Sequence, residues 1–264
     1  MRDADQPTTT QLVISILVEV LSGTLIVILF YILYMHFIGP NRASKDVSVV
    51  RPQDISEELK KLPKQVTTYM FWGRSGSFFR SYPIIELDKD ARNKKHNISI
   101  DVLLPNPEEK HLVDSYQDIL VSLGEEEGEN TLLSHVVATC LICAILDANN
   151  RYLNVRIHIS SFLPGFRLDL SDNGAILTQD DKRKSALFFE SGSEFYEMFR
   201  STMLNECKIS RRIIWDETLF RDLDLDRSSC TVLTIDAFNI EVPDVSSIQT
   251  KVANLVARRP HRYK

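Results

Sequence analysis

Residues 66–107 read VTTYMFWGRSGSFFRSYPIIELDKDARNKKHNISIDVLLPNP, and this stretch decides the fold class. The apolar run at its start and the alternating run near its end, 66–73 and 97–105, predict two strands. The residues between them predict a helix over about 77–96. A strand, a helix and a second strand in this order open an α/β fold.

The rest of the chain continues the same scheme. Helices are predicted at 107–124, 131–151, 193–208 and 245–259, and strands at 153–162, 166–172, 173–179, 185–191 and 230–238. The triplet Asp172-Asn173-Gly174 signals a hairpin turn. The order predicts an α/β domain with a mixed β-sheet flanked by helices.

The composition is that of an ordinary globular protein. The chain has 264 residues, 44% of them hydrophobic and 25% charged, which excludes collagen-like, low-complexity and wholly disordered chains. The 31 basic and 36 acidic residues give a net charge of −5, which argues against a general nucleic-acid binder. Four cysteines are too few for a disulfide scaffold. Cys140 and Cys143 lie within an apolar helix, so we expect them in the core and expect no metal site or cofactor.

Residues 12–38 predict a transmembrane helix in which Glu19 is the one residue with a fixed charge. At 1.5 Å per residue the run is about 40 Å long, enough to cross a hydrocarbon core of about 30 Å. The N-terminus lacks the basic region and cleavage site of a signal peptide. Basic residues follow the helix, so the positive-inside rule places residues 1–11 outside and the rest in the cytoplasm, at an inner or plasma membrane.

The membrane helix carries small and polar residues on one stripe, namely Ser15, Glu19, Ser22 and Gly23. One interpretation is a helix that self-associates through this stripe and gives a homo-oligomer. The other is that Glu19 reaches out to the membrane interface. The predicted domain organisation is a short extracytoplasmic segment at 1–11, the helix at 12–38, a linker at 39–65, the α/β domain at 66–245, and a C-terminal helix with a basic tail at 246–264.

The stretch 69–107 and the stretch 155–177, VRIHISSFLPGFRLDLSDNGAIL, together resemble one half of a phospholipase D-like domain. The resemblance covers about residues 66–215 and implies the H-x-K-x-x-x-x-D signature of that family. Aligning the signature places Gly165 at the nucleophilic histidine, Arg167 at the lysine and Asp172 at the aspartate. Without the histidine the covalent chemistry cannot run. The resemblance therefore implies a non-catalytic member that keeps an anion-binding cleft, with His158 as a weak catalytic substitute.

Two groups of residues are candidates for binding a phosphate. The Gly73–Ser77 loop lies between a strand and a helix, a position where backbone N–H groups bind anions. Basic side chains on two strands that we expect to be adjacent would converge on the same cleft. The candidate residues are Arg74, Ser75, Gly76, Ser77, Arg80, Arg156, His158, Arg167 and Asp172. The alternatives are an ordinary helix start with two turn glycines, and a solvated strand face on which arginines pair with Asp169 or Asp172.

These features predict a membrane-anchored, non-catalytic sensor or effector that binds a nucleotide, another phosphorylated ligand or a cytoplasmic protein partner. It would signal by clustering at the membrane, an architecture suited to bacterial regulation or defence. Two other functions remain open. One is a phosphodiester hydrolase, of the phospholipase D or nuclease type, with a non-standard or dimer-shared site. The other is a structural anchor for a cytoplasmic partner.

Overall fold

The structure is a computed structural model that describes residues 21, 24–32, 46–124, 130–179, 181, 183–242 and 244–257. The chain divides into two units, Met1–Lys45 and Asp46–Lys264. In the first unit, residues 24–32 are helical and their apolar side chains are exposed, by 52% for Ile28 and 70% for Leu25. The stripe residues Ser15, Glu19, Ser22 and Gly23 lie outside the described residues.

In the described part of the second unit, eight strands form one sheet in the order β1-β7-β6-β5-β2-β3-β4-β8. Their bounds are β1 Val47–Val50, β2 Thr68–Trp72, β3 Ile98–Pro105, β4 Leu153–Ser160, β5 Arg167–Ser171, β6 Gly174–Thr178, β7 Ala186–Phe189 and β8 Arg211–Ile213. Strands β2, β3 and β4 are parallel, and the other pairs are antiparallel. The predicted α/β class with a mixed sheet is confirmed.

The helices are α1 Ile55–Lys61, α2 Ser77–Ser81, α3 Pro83–Lys94, α4 Lys110–Ser122, α5 Thr131–Asn149, α6 Glu194–Ile209, α7 Val232–Asp236 and α8 Val245–Ala257. The helix predicted over 77–96 is two helices, because Pro83 starts a new one. The prediction of a strand over 230–238 is wrong. These residues contain the helix α7 instead. There the hydroxyls of Thr231 and Thr234 each accept the other's backbone N–H, a capping box.

The strand β1 lies within the stretch predicted to be a linker, 39–65. It pairs with β7 in antiparallel register, from Val47 opposite Phe189 to Val50 opposite Ala186. Its burial differs along its length, since Val49 is exposed and Val50 is buried. The sheet therefore begins close to the start of the second unit.

The two faces of the sheet are covered differently. On the first face, Tyr69, Phe71, Ile100 and Val102 pack with the helix α5, and α8 packs on α5 in turn. Among the described residues, α5 is the one helix long and apolar enough to cross a membrane. However, 89% of its most apolar 18-residue stretch is buried inside the fold. It is therefore a core helix of the second unit.

On the second face, the apolar residues Met70, Trp72, Leu103 and Leu168 are covered by α6, which contributes Tyr196, Met203 and Cys207. Side chains alternate between faces along a strand, so this face also receives every second residue of β3 and β4.

The cysteines of the C-x-x-C pair are buried, as predicted. Burial raises the pKa of Cys140 to about 12 and raises that of Cys143 well above its ordinary value. Both thiols are therefore protonated core residues at neutral pH. Within the described residues, no group of three or more His, Cys, Asp or Glu side chains could hold a metal ion.

Candidate functional site

The candidate site lies at the carboxyl edge of β2. The Gly73–Ser77 loop continues directly from β2, and β5 runs antiparallel beside it with Leu168 opposite Trp72. Arg167, the first residue of β5, therefore lies next to the loop. Its Cγ is only 3.3 Å from the position that a Cβ on Gly73 would occupy. A side chain at position 73 would also meet Phe71, so the close approach requires glycine there.

Two guanidinium groups flank the loop. The Cζ of Arg167 lies 4.5 Å from the centroid of the Phe78 ring, and its Nε is 2.7 Å from Oδ2 of Asp169. The Cζ of Arg74 lies 5.9 Å from the centroid of Tyr116 on α4. Both arginines are partly exposed. Two guanidinium groups are thus brought to the loop by different elements, Arg167 as the partner of Asp169.

Asp169 anchors Arg167 from inside the core. The carboxyl is fully buried, and its Oδ1 accepts a hydrogen bond of 2.8 Å from the hydroxyl of Tyr69. Burial and the adjacent Asp169 carboxylate raise the pKa of Tyr69 well above its ordinary value, so the phenol remains a donor. The pairing of Arg167 with Asp169 was the alternative interpretation of this arginine, and it fixes the orientation of the guanidinium.

Arg80 holds the loop in place from within. It is buried, and its Nη1 donates to the carbonyl oxygens of Ser75 (2.6 Å) and His135 (2.9 Å) and to Oγ1 of Thr139 (2.7 Å). Its Nη2 lies 2.9 Å from Nδ1 of His135, which accepts because a guanidinium only donates. Arg80 was predicted as a phosphate ligand. The structure instead makes it a positioning residue that ties the loop to α5.

Gly76 is required by the same contact. Its φ of +64° is left-handed, and a Cβ there would lie 2.6 Å from Oγ1 of Thr139. The hydroxyls of Ser75 and Ser77, 3.3 Å apart, are partly buried at the turn. The predicted residues Arg74, Ser75, Ser77 and Arg167 therefore do lie around one loop.

The prediction that Arg156 and His158 converge with Arg167 is wrong. They lie on β4, which is separated from β5 by β2 and β3. They also share the second face with Leu103 and Asp101, whereas Arg167 packs on Phe78 of the first face.

The two residues belong instead to an ion pair beneath α6. The Nε of Arg156 donates to Oδ1 of Asp101 at 2.6 Å and its Nη2 donates to Oδ2 at 2.7 Å. The Nε2 of His158 is 3.6 Å from Oδ1 of Asp101. Burial raises the pKa of Asp101, but hydrogen bonds from His158 and Arg156 outweigh burial and lower the pKa overall. The carboxylate therefore neutralises Arg156 inside the fold.

Asp172 also lies outside the site. It occupies the β5–β6 turn, at the opposite end of β5 from Arg167. Its Oδ2 accepts from the backbone N–H of Thr67 at 2.6 Å, and its carboxyl accepts from the hydroxyl of Thr68 as well. Burial raises the pKa of Asp172, but the hydrogen bonds from Thr68 and Thr67 more than offset it and lower the pKa. The carboxylate fastens the hairpin to the amino end of β2.

Sequence reasoning missed the contribution of α4 and α5 to the site. His135 and Thr139 lie one helical turn apart on the otherwise apolar α5, and Tyr116 reaches the site from α4. The four-residue spacing of two polar residues on a buried helix was the available signal.

Comparisons with known proteins do not assign the chain to a family. No protein-family model matches the sequence, and no curated protein is significantly similar to it. The function of the site therefore has to be argued from its geometry.

Proposed function

We propose that the second unit binds a phosphorylated ligand at the Gly73–Ser77 loop. The observation that carries this proposal is that Arg167 of β5 lies against the serine- and glycine-rich turn that contains Arg74, at the carboxyl end of β2. Guanidinium groups and seryl hydroxyls are strong donors to phosphate oxygens. Open α/β sheets bind ligands outside the carboxyl ends of their strands.

The loop is held rigidly before any ligand arrives, which supports the same function. Arg80 fastens Ser75 to α5, and Asp169 fixes Arg167. A preorganised site loses less conformational entropy on binding than a flexible one.

We also propose that the domain is phospholipase D-like and non-catalytic. The α/β alternation of strands and helices from β2 to α6 supports this proposal. Gly165 stands where that family has its nucleophile. His158, the weak catalytic substitute, lies on β4, two strands from β2 and its loop, with Nε2 3.6 Å from Oδ1 of Asp101, so it is not placed to act on a ligand at the loop.

We further propose that segment 12–38 holds this domain at the membrane as a sensor or effector, with self-association through the Glu19 stripe. The exposed apolar side chains of helical residues 24–32 support a lipid-facing role. Because basic residues follow the apolar segment, the positive-inside rule would place the ligand-binding unit in the cytoplasm.

The binding function is tested with the full chain in lipid nanodiscs and inorganic pyrophosphate, by calorimetric titration. Arg74→Ala is expected to weaken binding about tenfold or more, because a charge-assisted hydrogen bond is lost. Arg183→Ala, an exposed arginine in the β6–β7 connection, is the matched control and should bind as the wild type does. Absence of pyrophosphate binding, or equal losses in the two variants, would refute the proposal.

A further inference from the structure

Three aromatic side chains form a cluster beside the proposed phosphate loop. The rings of Phe162 and Phe166 pack on Trp72, with centroids 5.8 Å and 5.3 Å from the indole. Trp72 immediately precedes Gly73, and Phe166 immediately precedes Arg167. The cluster and the loop therefore share one edge of the sheet. Phe162 is 47% exposed, so part of its ring is open to solvent.

The connection 161–166 has to cross this edge. It leaves β4 and enters β5, and these strands are separated in the sheet by β2 and β3. Phe162 is thus carried across the carboxyl ends of the two inner strands. An aromatic ring in this position is available to a molecule that is already held at the Gly73–Ser77 loop.

Trp72 supplies an independent indication of a ligand. The side chain is 6% exposed, and its Nε1 has no hydrogen-bond partner among the described residues. The indole N–H is a donor and cannot accept. Because native proteins leave few buried donors unpaired, an unpaired one at the edge of a site calls for an acceptor atom from outside the chain.

Further buried polar atoms lie on the same face. Trp72, Leu103 and His158 stand in one row across β2, β3 and β4. The ring nitrogens of His158 are buried, with Nε2 3.6 Å from Oδ1 of Asp101. The hydroxyl of Ser210, which directly precedes β8, is buried and has no hydrogen-bond partner in the described part of the chain. The otherwise apolar second face therefore carries buried polar groups at Trp72, His158 and Ser210.

We propose that the aromatic cluster receives a nucleobase, so that the phosphorylated ligand of the Gly73–Ser77 loop is a nucleotide. The exposed ring of Phe162 stacks on the base, and Nε1 of Trp72 donates to a ring nitrogen or carbonyl oxygen of the base. Bases offer both a π-face and such acceptors, and aromatic stacking tolerates any base. This inference rests on the proposed function, since the loop supplies the phosphate contacts.

The test uses the full chain in nanodiscs with three probes: inorganic pyrophosphate, ribose 5-phosphate and a panel of nucleotides. Nucleotides are expected to bind roughly ten- to a hundredfold more tightly than ribose 5-phosphate, the gain typical of stacking. In a Trp215→Phe background, Trp72 is the remaining tryptophan. Nucleotides, but not pyrophosphate, are then expected to quench its fluorescence.

Variants of Phe162 separate the base contact from the phosphate contact. Phe162→Ala and the more conservative Phe162→Leu are expected to abolish the nucleotide gain and leave pyrophosphate affinity unchanged. Phe195→Ala, which removes a ring of similar exposure (49%) from the first turn of α6, is the matched control and should change neither.

The outcomes distinguish the two proposals. The nucleobase site is refuted if nucleotides bind no more tightly than ribose 5-phosphate. It is also refuted if nucleotides bind Phe162→Ala and Phe162→Leu as tightly as the wild type. In either case, pyrophosphate binding would still support the phosphate site. If neither pyrophosphate nor any nucleotide binds, the phosphate site and the nucleobase site are both refuted.

Discussion

Arg80 is the residue on which the shape of the loop depends. Its planar guanidinium places Nη1 against Ser75, His135 and Thr139 and Nη2 against Nδ1 of His135, whereas the single ammonium nitrogen of lysine cannot occupy both positions. Arg80→Lys is therefore expected to lower the free energy of unfolding by about 1 to 3 kcal/mol. Urea denaturation measures this loss.

The control for Arg80→Lys is Arg183→Lys, an exposed exchange that should change stability by less than about 0.5 kcal/mol. If Arg80→Lys is as stable as this control, Arg80 does not hold the loop. A second readout is pyrophosphate affinity, which should fall in Arg80→Lys because Ser75 and Ser77 lose their fixed positions.

At the residue scale, sequence distinguishes chemical type but not orientation. From the sequence, Arg74 and Arg80 are equal candidates for binding a phosphate, since Arg74 lies within the Gly73–Ser77 loop and Arg80 follows it closely. Arg80 lies on α2, which turns it into the core against His135 and Thr139. No local pattern reveals which side of a five-residue helix faces a helix that follows 50 residues later in the chain.

The junction between α5 and β4 depends on a half-buried carboxyl. Asp147 lies in the last turn of α5, and its Oδ1 accepts a 2.9 Å hydrogen bond from the backbone N–H of Val155. Burial raises the pKa of Asp147 to about 6, although the hydrogen bond from Val155 opposes this. The folded state therefore favours the protonated acid, and stability declines as the pH rises from about 4 to about 6.

Asp147→Asn keeps the acceptor and removes the charge. At pH 8 the variant is expected to be about 1 to 2 kcal/mol more stable than the wild type, with solvent screening of the partly exposed carboxyl limiting the gain. The difference should disappear as the pH falls towards 4. Urea titrations at several pH values measure it, with Asp114→Asn, exposed on α4, as the control. A gain in stability that does not depend on pH would contradict the raised pKa of Asp147.

At the element scale, the long and strongly patterned segments were predictable and the short ones were not. Strands β2 to β4 and the helix α5 follow from their apolar runs. Strand β1 has four residues, and what makes it a strand is its pairing with β7 rather than its own pattern. The helix α7 comes from a short apolar run, which periodicity alone does not assign, and the capping box at Thr231 decides it.

For the whole molecule, the two units are expected to separate in function. Deleting residues 1–45 should release the chain from the membrane fraction and leave the second unit folded, because that unit has its own core. Sedimentation of lysate fractions and calorimetric pyrophosphate titration measure the two effects. Persistent membrane association of residues 46–264 would refute the anchoring role of segment 12–38. The full chain serves as the control.

The order of strands is the part of the architecture that the sequence does not contain locally. Consecutive strands are neighbours about two-thirds of the time, which made β4 and β5 look adjacent. Strand β5 pairs with β2 instead, because its Leu168 and Leu170 join Trp72 and Met70 in the core beneath α6. Because β5 pairs with β2 rather than with β4, Arg167 lies at the loop that follows β2, and Arg156 and His158 lie two strands away from that loop.

The distance in sequence between β2 and β5 also affects the nascent chain during synthesis on the ribosome. Asp169, which meets Tyr69 in the finished sheet, is 100 residues further along the chain. Until it is synthesised, β2 remains an unpaired edge of a growing parallel sheet, with apolar Met70, Phe71 and Trp72 open to other strands. Nascent chains that stop before residue 167 should therefore be the most aggregation-prone products of this gene and the ones that depend most on chaperones.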